Sequence, residues 1–392
     1  METVMNEIQS RNNKTLSSYK VILGIFILYF ITKPFYVFPS GTLQIGDMLL
    51  LAALSLSILV NRLKVRINKF HHSFLLLNLI LISYIAIINI LWTIILDESI
   101  YKPTLYYIFN FLACLLVIIL YKKVGDRLYK TVYFGILISV LVQTVLILLL
   151  NGVSVGRDTG FFNNPNQLGY YSVVSLCLLI FCNKKMYSKG PFFNSALISC
   201  LFLALISLSR AAIAASILIM IWYILKHNRK IHFTRKKLIW IILTSIVIVT
   251  GFSVLFDSGS SLITNSDIYN GFKNRVIGKN IDSDQELSNR GYDRLIMYPQ
   301  YLIFGGGEGA WWRYNKTYEF HSTLGNLALC YGVIGIILFC FIIISVFKHN
   351  KWEEFYLFVG IMIYGLTHNG IRNTLIWILL ALIACDVSEQ DE

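Results

Sequence analysis

Two histidines in the second half of the chain stand apart from the other five. His321 opens an apolar run directly after a long polar stretch, in EFHSTLGNLALCYGVIG, and His368 lies in THNGIR, close to Arg372. The other five histidines lie in basic segments. Imidazole is the usual side chain for proton transfer near neutral pH. His321 and His368 are therefore candidate acid–base residues, and the alternative is a structural role for each.

Five arginines occupy unusual positions. Arg210, in SLSRAA, lies between two apolar runs with almost no loop around it, and Arg157 and Arg372 lie in other short connections. Arg290 and Arg294, in SNRGYDRLIMYPQ, are spaced i, i+4 and would share one face if this stretch is helical. A guanidinium group matches phosphate bidentately and stays charged at any relevant pH. These arginines are therefore candidates for binding phosphate groups.

Four of these arginines also have a plainer interpretation. Arg210 and Arg372 could snorkel to a membrane surface or pair with a carboxylate at a helix end. The pair in the polar stretch could instead be neutralised by Asp293 or Glu286 on a solvated surface. Several such arginines together are better evidence for phosphate binding than any one of them alone.

Two segments rich in glycine or asparagine complete the set of candidates. GRDTGFFNNPNQLGYY covers residues 156–171, and GGGEG covers residues 305–309. Glycine and proline interrupt helices, whereas asparagine can cap a helix or bind hydroxyl groups, which makes Asn166 a candidate for orienting substrate. The GGGEG segment indicates a flexible turn, and it is weak evidence for a phosphate cradle because no strand precedes it.

The composition indicates which secondary structure carries these candidate residues. Of the 392 residues, 56% are hydrophobic and 14% charged, with a mean hydropathy of +0.65. Soluble domains have roughly 45–50% apolar and about 25% charged residues. A membrane-spanning helix needs about 20 apolar residues, and such runs recur along this chain. The composition therefore excludes a soluble enzyme and a disordered chain. Only 6 prolines favour a helical bundle over a barrel.

We expect an all-α polytopic bundle with about 12 transmembrane helices, forming one integral membrane domain over residues 1–392. The predicted spans are 19–32, 43–60, 73–96, 104–121, 131–150, 167–182, 192–209, 211–225, 238–256, 322–347, 355–371 and 373–385. All seven cysteines lie in or at the edge of these runs, as small core residues do.

Lysine and arginine alternate along the chain between basic and nearly neutral connections. Segments such as 61–72, 122–130 and 226–237 are basic, so the positive-inside rule places them and both termini in the cytoplasm. The net charge of +13 is then explained by the membrane surface rather than by nucleic acid. Residues 257–321 form one large outer loop, which we expect to contribute to the active site.

Four features together resemble the bacterial O-antigen polymerase and O-antigen ligase superfamily (Wzy and WaaL). They are RDTGFFNNPNQLGYY, SLSRAA, the long loop running through SNRGYDRLIMY into FGGGEG, and the histidine segment. In that segment His321 and Ser322 are followed by nine residues and then by Gly332 and Gly335, as in the superfamily. The resemblance covers residues 150–345 and the overall topology.

The resemblance implies a metal-independent inverting glycosyltransferase without a cofactor, on the outer face of the bacterial inner membrane. Such enzymes move a glycan from undecaprenyl pyrophosphate to an acceptor hydroxyl. The resemblance implies His321 as the catalytic residue. It implies pyrophosphate binding by Arg210, Arg290, Arg294 and Arg157, and substrate orientation by His368, Arg372 and Asn166. The choice between Arg290 and Arg294 as the loop arginine in contact with substrate stays open.

Three functions fit this pattern. A repeat-unit polymerase would transfer the glycan to another lipid-linked unit, and a ligase would transfer it to lipid A core. A transporter would place ionisable residues near the membrane midplane, but the only acid in the predicted spans, Asp47, lies close to an outer end. The NPNQLGYY and THNGIR segments resemble repeat-unit polymerases more, whereas the histidine motif fits ligases at least as well. We favour the polymerase, with the ligase and then the transporter as alternatives. The product could be the O-antigen of lipopolysaccharide, a capsule or an exopolysaccharide.

The partners expected for this activity are the undecaprenyl-pyrophosphate-linked oligosaccharide, membrane lipids and a polysaccharide chain-length regulator (Wzz-like). No nucleic acid is expected.

Overall fold

The fold is helical throughout the residues that the structure describes. A computed structural model describes residues 18–61, 68–150, 157–186, 190–227, 288–349 and 352–387, and no strand occurs among them. The all-α prediction is confirmed for these residues. The predicted span at 238–256 lies outside the described residues, as do both chain ends.

The helices agree with the predicted apolar runs, mostly to within a few residues. They are α1 Ser18–Thr32, α2 Ile45–Asn61, α3 Lys69–Leu96, α4 Lys102–Val124, α5 Arg127–Leu150, α6 Pro165–Met186, α7 Pro191–Ile206, α8 Arg210–His227, α9 Asp293–Met297, α10 Thr323–His349, α11 Phe355–Gly365 and α12 Thr374–Val387. Short 3₁₀ turns occupy Pro299–Tyr301 and Trp311–Tyr314.

Within the part of the chain that the structure describes, five helices are long and apolar enough to cross a membrane: α3, α4, α5, α6 and α10. Helices α1, α2, α7, α11 and α12 are apolar but shorter. The membrane class predicted from composition therefore holds, whereas the number of about 12 spans stays a prediction.

Local sequence signals explain where several helices begin. The side chain of Asn68 accepts a hydrogen bond from the backbone N–H of His71 (3.0 Å) and so caps α3. Pro165 and Pro191 are the first residues of α6 and α7. Proline suits the first helical turn because its fixed φ angle is helical and its missing N–H would have no partner there.

Helix α6 lies at the centre of the bundle. In its most apolar window 83% of the residues are buried, against 22% for α3, which lies at the periphery. Helix α6 packs against α5, α7, α8, α11 and α12, while α3 packs along α10 and α4. Exposed leucine and isoleucine side chains on α3 therefore belong on a lipid-facing surface.

Asp47, the acidic residue in the predicted spans, forms an ion pair. Asp47 on α2 forms an ion pair of 2.6 Å with Lys33, just beyond the end of α1, and both residues are buried. A buried charge needs such a partner, so this pair is accounted for by packing. Six of the seven cysteines are buried as expected, and Cys340 on α10 is exposed.

The predicted outer loop at 257–321 is described from residue 288 onward. It contains α9 and the two 3₁₀ turns, and it leads into α10. Helix α10 is broken at Gly332, whose φ of 65° and ψ of −171° are not helical. A Cβ atom there would lie 2.2 Å from the carbonyl oxygen of Ile303, so the break and the loop segment fit together only around glycine.

Candidate active site

His321 is held at the entrance to α10 by its backbone and its ring. Its backbone N–H donates to the carbonyl oxygen of Arg290 (3.0 Å). Its imidazole stacks on the ring of Tyr318, with 5.5 Å between centroids and 7° between planes. The side chain is partly buried. The two contacts fix the ring beside the arginine that the sequence placed 31 positions earlier.

Arg290 ties this loop to the connection between α11 and α12. Its Nη1 atom donates to the carbonyl oxygen of Thr367 (2.6 Å). The hydroxyl of Thr367 lies 2.9 Å from Nδ1 of His368. The two candidate histidines, 47 residues apart in sequence, are therefore linked through one arginine and one threonine.

A second arginine joins the cluster from the other side. The ring of His368 stacks on Tyr364, with centroids 4.7 Å apart, and the Tyr364 hydroxyl donates to the carbonyl oxygen of Asn166 (2.6 Å). The side-chain oxygen of Asn166 accepts from Nη2 of Arg157. The start of α6, the end of α11 and the loop before α10 thus meet at one place. We call Arg157, Asn166, Arg290, His321 and His368 the site cluster.

The surroundings keep both histidines neutral. Burial lowers the pKa of His321 below its usual value, and the cationic Arg290 and Arg294 lower it further, while the carboxylate of Glu319 opposes them. Burial also lowers the pKa of His368, and the cationic Arg290 and Arg157 act in the same direction. A neutral imidazole can accept a proton at neutral pH, which a protonated one cannot.

Arg290 and Arg294 do not lie on one continuous helix, although their i, i+4 spacing is that of residues on one helix face. Gly291, with φ +91°, interrupts the helix between them, so the stretch is not one continuous helix and the condition for a shared face is not met. Arg294 is fully buried and its Nη2 donates to the carbonyl oxygen of Tyr318 (3.1 Å). Its guanidinium lies 5.0–5.8 Å from the ring centroids of Tyr318, Trp311 and Phe320.

The two loop arginines therefore have different surroundings. Arg294 supports the tyrosine on which His321 stacks, whereas Arg290 is only partly buried. A substrate at the surface would meet Arg290 first.

Arg210 is the first residue of α8 and its side chain is exposed. It follows the turn that ends α7, and this turn contacts the site cluster, because Nε of Arg157 donates to the carbonyl oxygen of Ser207 (3.1 Å). The backbone N–H of Asp158 donates to the carbonyl oxygen of Ile206 in the same turn (3.0 Å). Arg210 thus lies at the same end of the bundle as the cluster.

Arg372 binds carboxylates of this chain instead. Its Nε and Nη2 donate to Oε1 of Glu308 (2.9 and 2.5 Å), and Nη2 also donates to Glu319 (2.6 Å). Glu308 is fully buried and accepts further hydrogen bonds from Asn326 (2.8 Å) and the Tyr331 hydroxyl (2.7 Å). Of the two interpretations of Arg372, the structure favours pairing with a carboxylate.

Glu308 is the residue that sequence reasoning missed. It lies in GGGEG, which the sequence presents as a flexible turn, and its partners come from α4, α10 and the start of α12. The one available signal was a single acid among glycines in a chain that has few acids near its apolar runs.

Comparison with known proteins places the central part of this site in a family. A family model described as O-antigen ligase (Wzy_C) matches residues 195–340. The match includes Arg210, Arg290, Arg294, Glu308 and His321, whereas the α6 and α11–α12 parts of the site cluster lie outside it. The search of curated proteins found no match.

The apolar helices and the family match together describe a membrane protein. The matched segment and the motifs within it support the resemblance to the O-antigen polymerase and O-antigen ligase superfamily.

Proposed function

We propose that the protein is a glycosyltransferase that moves a glycan from undecaprenyl pyrophosphate to a sugar hydroxyl at the outer face of the bacterial inner membrane. The observation that carries the proposal is the site cluster, in which Arg290 and Arg157 lie beside two neutral histidines. Cations suit the diphosphate leaving group, and a neutral imidazole suits the acceptor hydroxyl.

His321 is the proposed general base. A sugar hydroxyl is a poor nucleophile at neutral pH, so removal of its proton as the new bond forms lowers the barrier. The hydroxyl oxygen attacks the anomeric carbon from the face opposite the pyrophosphate, its proton passes to the imidazole, and the bond from that carbon to the phosphate oxygen breaks. The configuration at the anomeric carbon inverts.

The arginines stabilise the leaving group. The electron pair of the broken bond stays on the pyrophosphate, whose added negative charge is balanced by guanidinium groups rather than by a proton. Arg290 is the arginine closest to His321 in the hydrogen-bond network, and Arg157 approaches from the opposite side. Arg210, exposed at the same end of the bundle, is the third proposed contact.

His368 and Asn166 are proposed to orient the substrate. The Nδ1 atom of His368 is engaged by the Thr367 hydroxyl, which fixes the ring and directs its other nitrogen away from that threonine. Asn166 holds Arg157 through its side-chain oxygen. Arg294 and Arg372 are proposed to be positioning residues, since the first lies under Tyr318 and the second binds two carboxylates.

The polymerase is the preferred activity, with another lipid-linked repeat unit as acceptor. The segments that resemble polymerases, NPNQLGYY and THNGIR, are joined in the structure through Tyr364, which contacts both Asn166 and His368. The ligase is the second candidate, because the matching family model carries that description.

Reconstitution tests the proposal directly. Purified protein in lipid vesicles is given undecaprenyl-pyrophosphate-linked repeat units alone, and the length of the lipid-linked glycan is measured. Longer glycan supports the polymerase. Transfer that occurs only when lipid A core is added supports the ligase instead. Movement of the substrate across the membrane without any covalent product would identify a carrier and contradict the transferase.

A further inference from the structure

Residues 299–309 reach far along two membrane helices instead of staying at their ends. The hydroxyl of Tyr84 on α3 donates to the carbonyl oxygen of Phe304 (2.7 Å), and Nε1 of Trp92 donates to that of Gly305 (3.1 Å). On α10, the backbone N–H of Val333 donates to the carbonyl oxygen of Leu302 (2.7 Å). The contacts with each helix therefore show how deep the segment lies along it.

The depths of the segment along α3 and along α10 agree. Helix α3 has 28 residues and α10 has 27, so each is about 40 Å long, against a hydrocarbon thickness of about 30 Å. Tyr84 lies about 18 Å from the end of α3 that is nearer to His321, and Val333 lies about 15 Å from the start of α10. A helix centred in the bilayer extends about 5 Å beyond the hydrocarbon at each end, so the segment lies about 10 Å or more inside it.

The backbone of the segment is satisfied in the way that such depth requires. The break at Gly332 frees hydrogen-bonding groups of α10, and the loop takes them up: the N–H groups of Gly306 and Gly307 donate to the carbonyl oxygens of Leu329 and Cys330 (2.8 and 2.9 Å). Non-helical backbone at membrane depth is tolerated only where protein supplies such partners.

Side chains satisfy further groups of the loop. Arg313 donates through Nη2 to the carbonyl oxygens of Gly306, Gly307 and Gly309, and the N–H of Glu308 donates to the side chain of Asn89 (2.9 Å). The buried carboxylate of the same loop is neutralised by Arg372. The polar backbone groups of residues 305–309 and the carboxylate of Glu308 are thus turned into the bundle.

The tip of the segment is apolar and exposed. Ile303 and Phe304 are 61% and 62% exposed, whereas residues 305–308 are buried. The tip continues two exposed apolar faces: Val333 and Ile337 on α10, and Ile80 and Ile87, which flank Tyr84 on α3. Because these are faces of helices long enough to cross a membrane, the covering material that fits them is lipid hydrocarbon.

We propose that residues 299–309 form a re-entrant loop whose tip, Ile303 and Phe304, contacts the hydrocarbon chains of the bilayer. The loop enters from the end of the bundle that carries His321, turns between α3 and α10, and returns to that end through residues 310–320. It anchors the segment that carries Arg290 and His321 at the level of the lipid headgroups. That is the level at which the diphosphate of a membrane-anchored lipid lies.

Spin labels test the depth of the tip in the full chain. Phe304→Cys, with Ile303→Cys as a second variant, is made in a Cys340→Ser background, because the other six cysteines are buried. The labelled protein is reconstituted in phosphatidylcholine vesicles, and its collisions with oxygen and with a water-soluble nickel chelate are measured. Ile337→Cys is the matched lipid-facing control, and Thr317→Cys, an exposed site before α10, is the aqueous control.

We expect labels at 303 and 304 to collide mainly with oxygen, as at 337, and several-fold less with the nickel chelate than at 317. Nickel accessibility equal to that at 317 would place the tip in water and overturn the proposal. Low accessibility to both reagents would place it against protein and overturn it equally. Since no substrate is present, failure here leaves the proposed transferase activity to its own test.

Discussion

The pKa values of His321 and His368 are lowered chiefly by burial, and Arg290 acts on both in the same direction. The arginine that would bind the leaving group thereby also keeps the base neutral. In the proposed mechanism, phosphate binding by Arg290 and proton acceptance by His321 are therefore coupled.

Replacing His321 by alanine should lower the rate of glycan transfer by about 10²–10⁴, the usual cost of removing a general base. The amount of folded protein should stay normal, because the ring is only partly buried. Transfer rates and membrane abundance are measured together. His72→Ala, an exposed histidine at the opposite end of α3, is the control and should change neither. A stable His321→Ala protein with a near wild-type rate would remove this residue as the base.

The acid side of the pH profile should belong to His321. Its pKa in the folded protein lies below the usual value, so the rate should stay level as the pH falls from about 7 through the ordinary histidine range and drop only in more acidic buffer. Glu319 raises this pKa, so Glu319→Gln should move the drop to still lower pH. The logarithm of kcat/KM is measured against pH for both proteins. A drop that moves to higher pH in the variant would contradict the assignment.

Lysine substitutions of Arg290 and Arg294 should have different effects when the two variants are compared. Arg290→Lys keeps the charge but loses the bidentate geometry, and a lost hydrogen bond to a charged group costs about 1.5–3 kcal/mol, so activity should fall about tenfold or more with normal abundance. Arg294→Lys should instead lower the melting temperature, because the guanidinium is buried among three aromatic rings. Activity per folded molecule should change less. The reverse pattern would make Arg294 the substrate contact.

At the scale of the elements, the apolar runs predicted the helices because a continuous run of about 20 residues has few other structures available in a membrane. The chemistry-bearing residues were also recognisable, since arginine and histidine near apolar runs need a reason to be there. Their mutual arrangement was not, because Asn166, Tyr364 and Thr367 connect them across three distant elements. The helix break at Gly332 was equally hidden, because it depends on contacts with a loop that precedes α10.

The Glu308–Arg372 pair joins the re-entrant loop to the start of α12, so its loss should destabilise the fold. Glu308→Gln leaves Arg372 with the partly exposed Glu319 as its remaining carboxylate partner among the described residues. Breaking a fully buried pair costs about 3–5 kcal/mol, and the loss should be smaller here because the Arg372 side chain is partly exposed. We expect a clearly lower melting temperature in detergent. Glu98→Gln, which alters an exposed contact with Trp312, is the control and should have little effect. Equal melting temperatures for all three proteins would contradict a structural role for the pair.

At the scale of the whole molecule, the proposed mechanism requires the end of the bundle that carries His321 to face outward. The positive-inside rule predicts this orientation, because described basic residues such as Lys69, Lys122 and Lys130 lie at the opposite end. In a Cys340→Ser background, Thr317→Cys should react with a membrane-impermeant maleimide added to intact spheroplasts, and Lys130→Cys, exposed near the start of α5, should react only after lysis. The extent of labelling is measured before and after permeabilisation. If Lys130→Cys reacted in intact spheroplasts and Thr317→Cys did not, the site cluster would face the cytoplasm, and a transferase that acts on outward-facing lipid-linked glycan would be excluded.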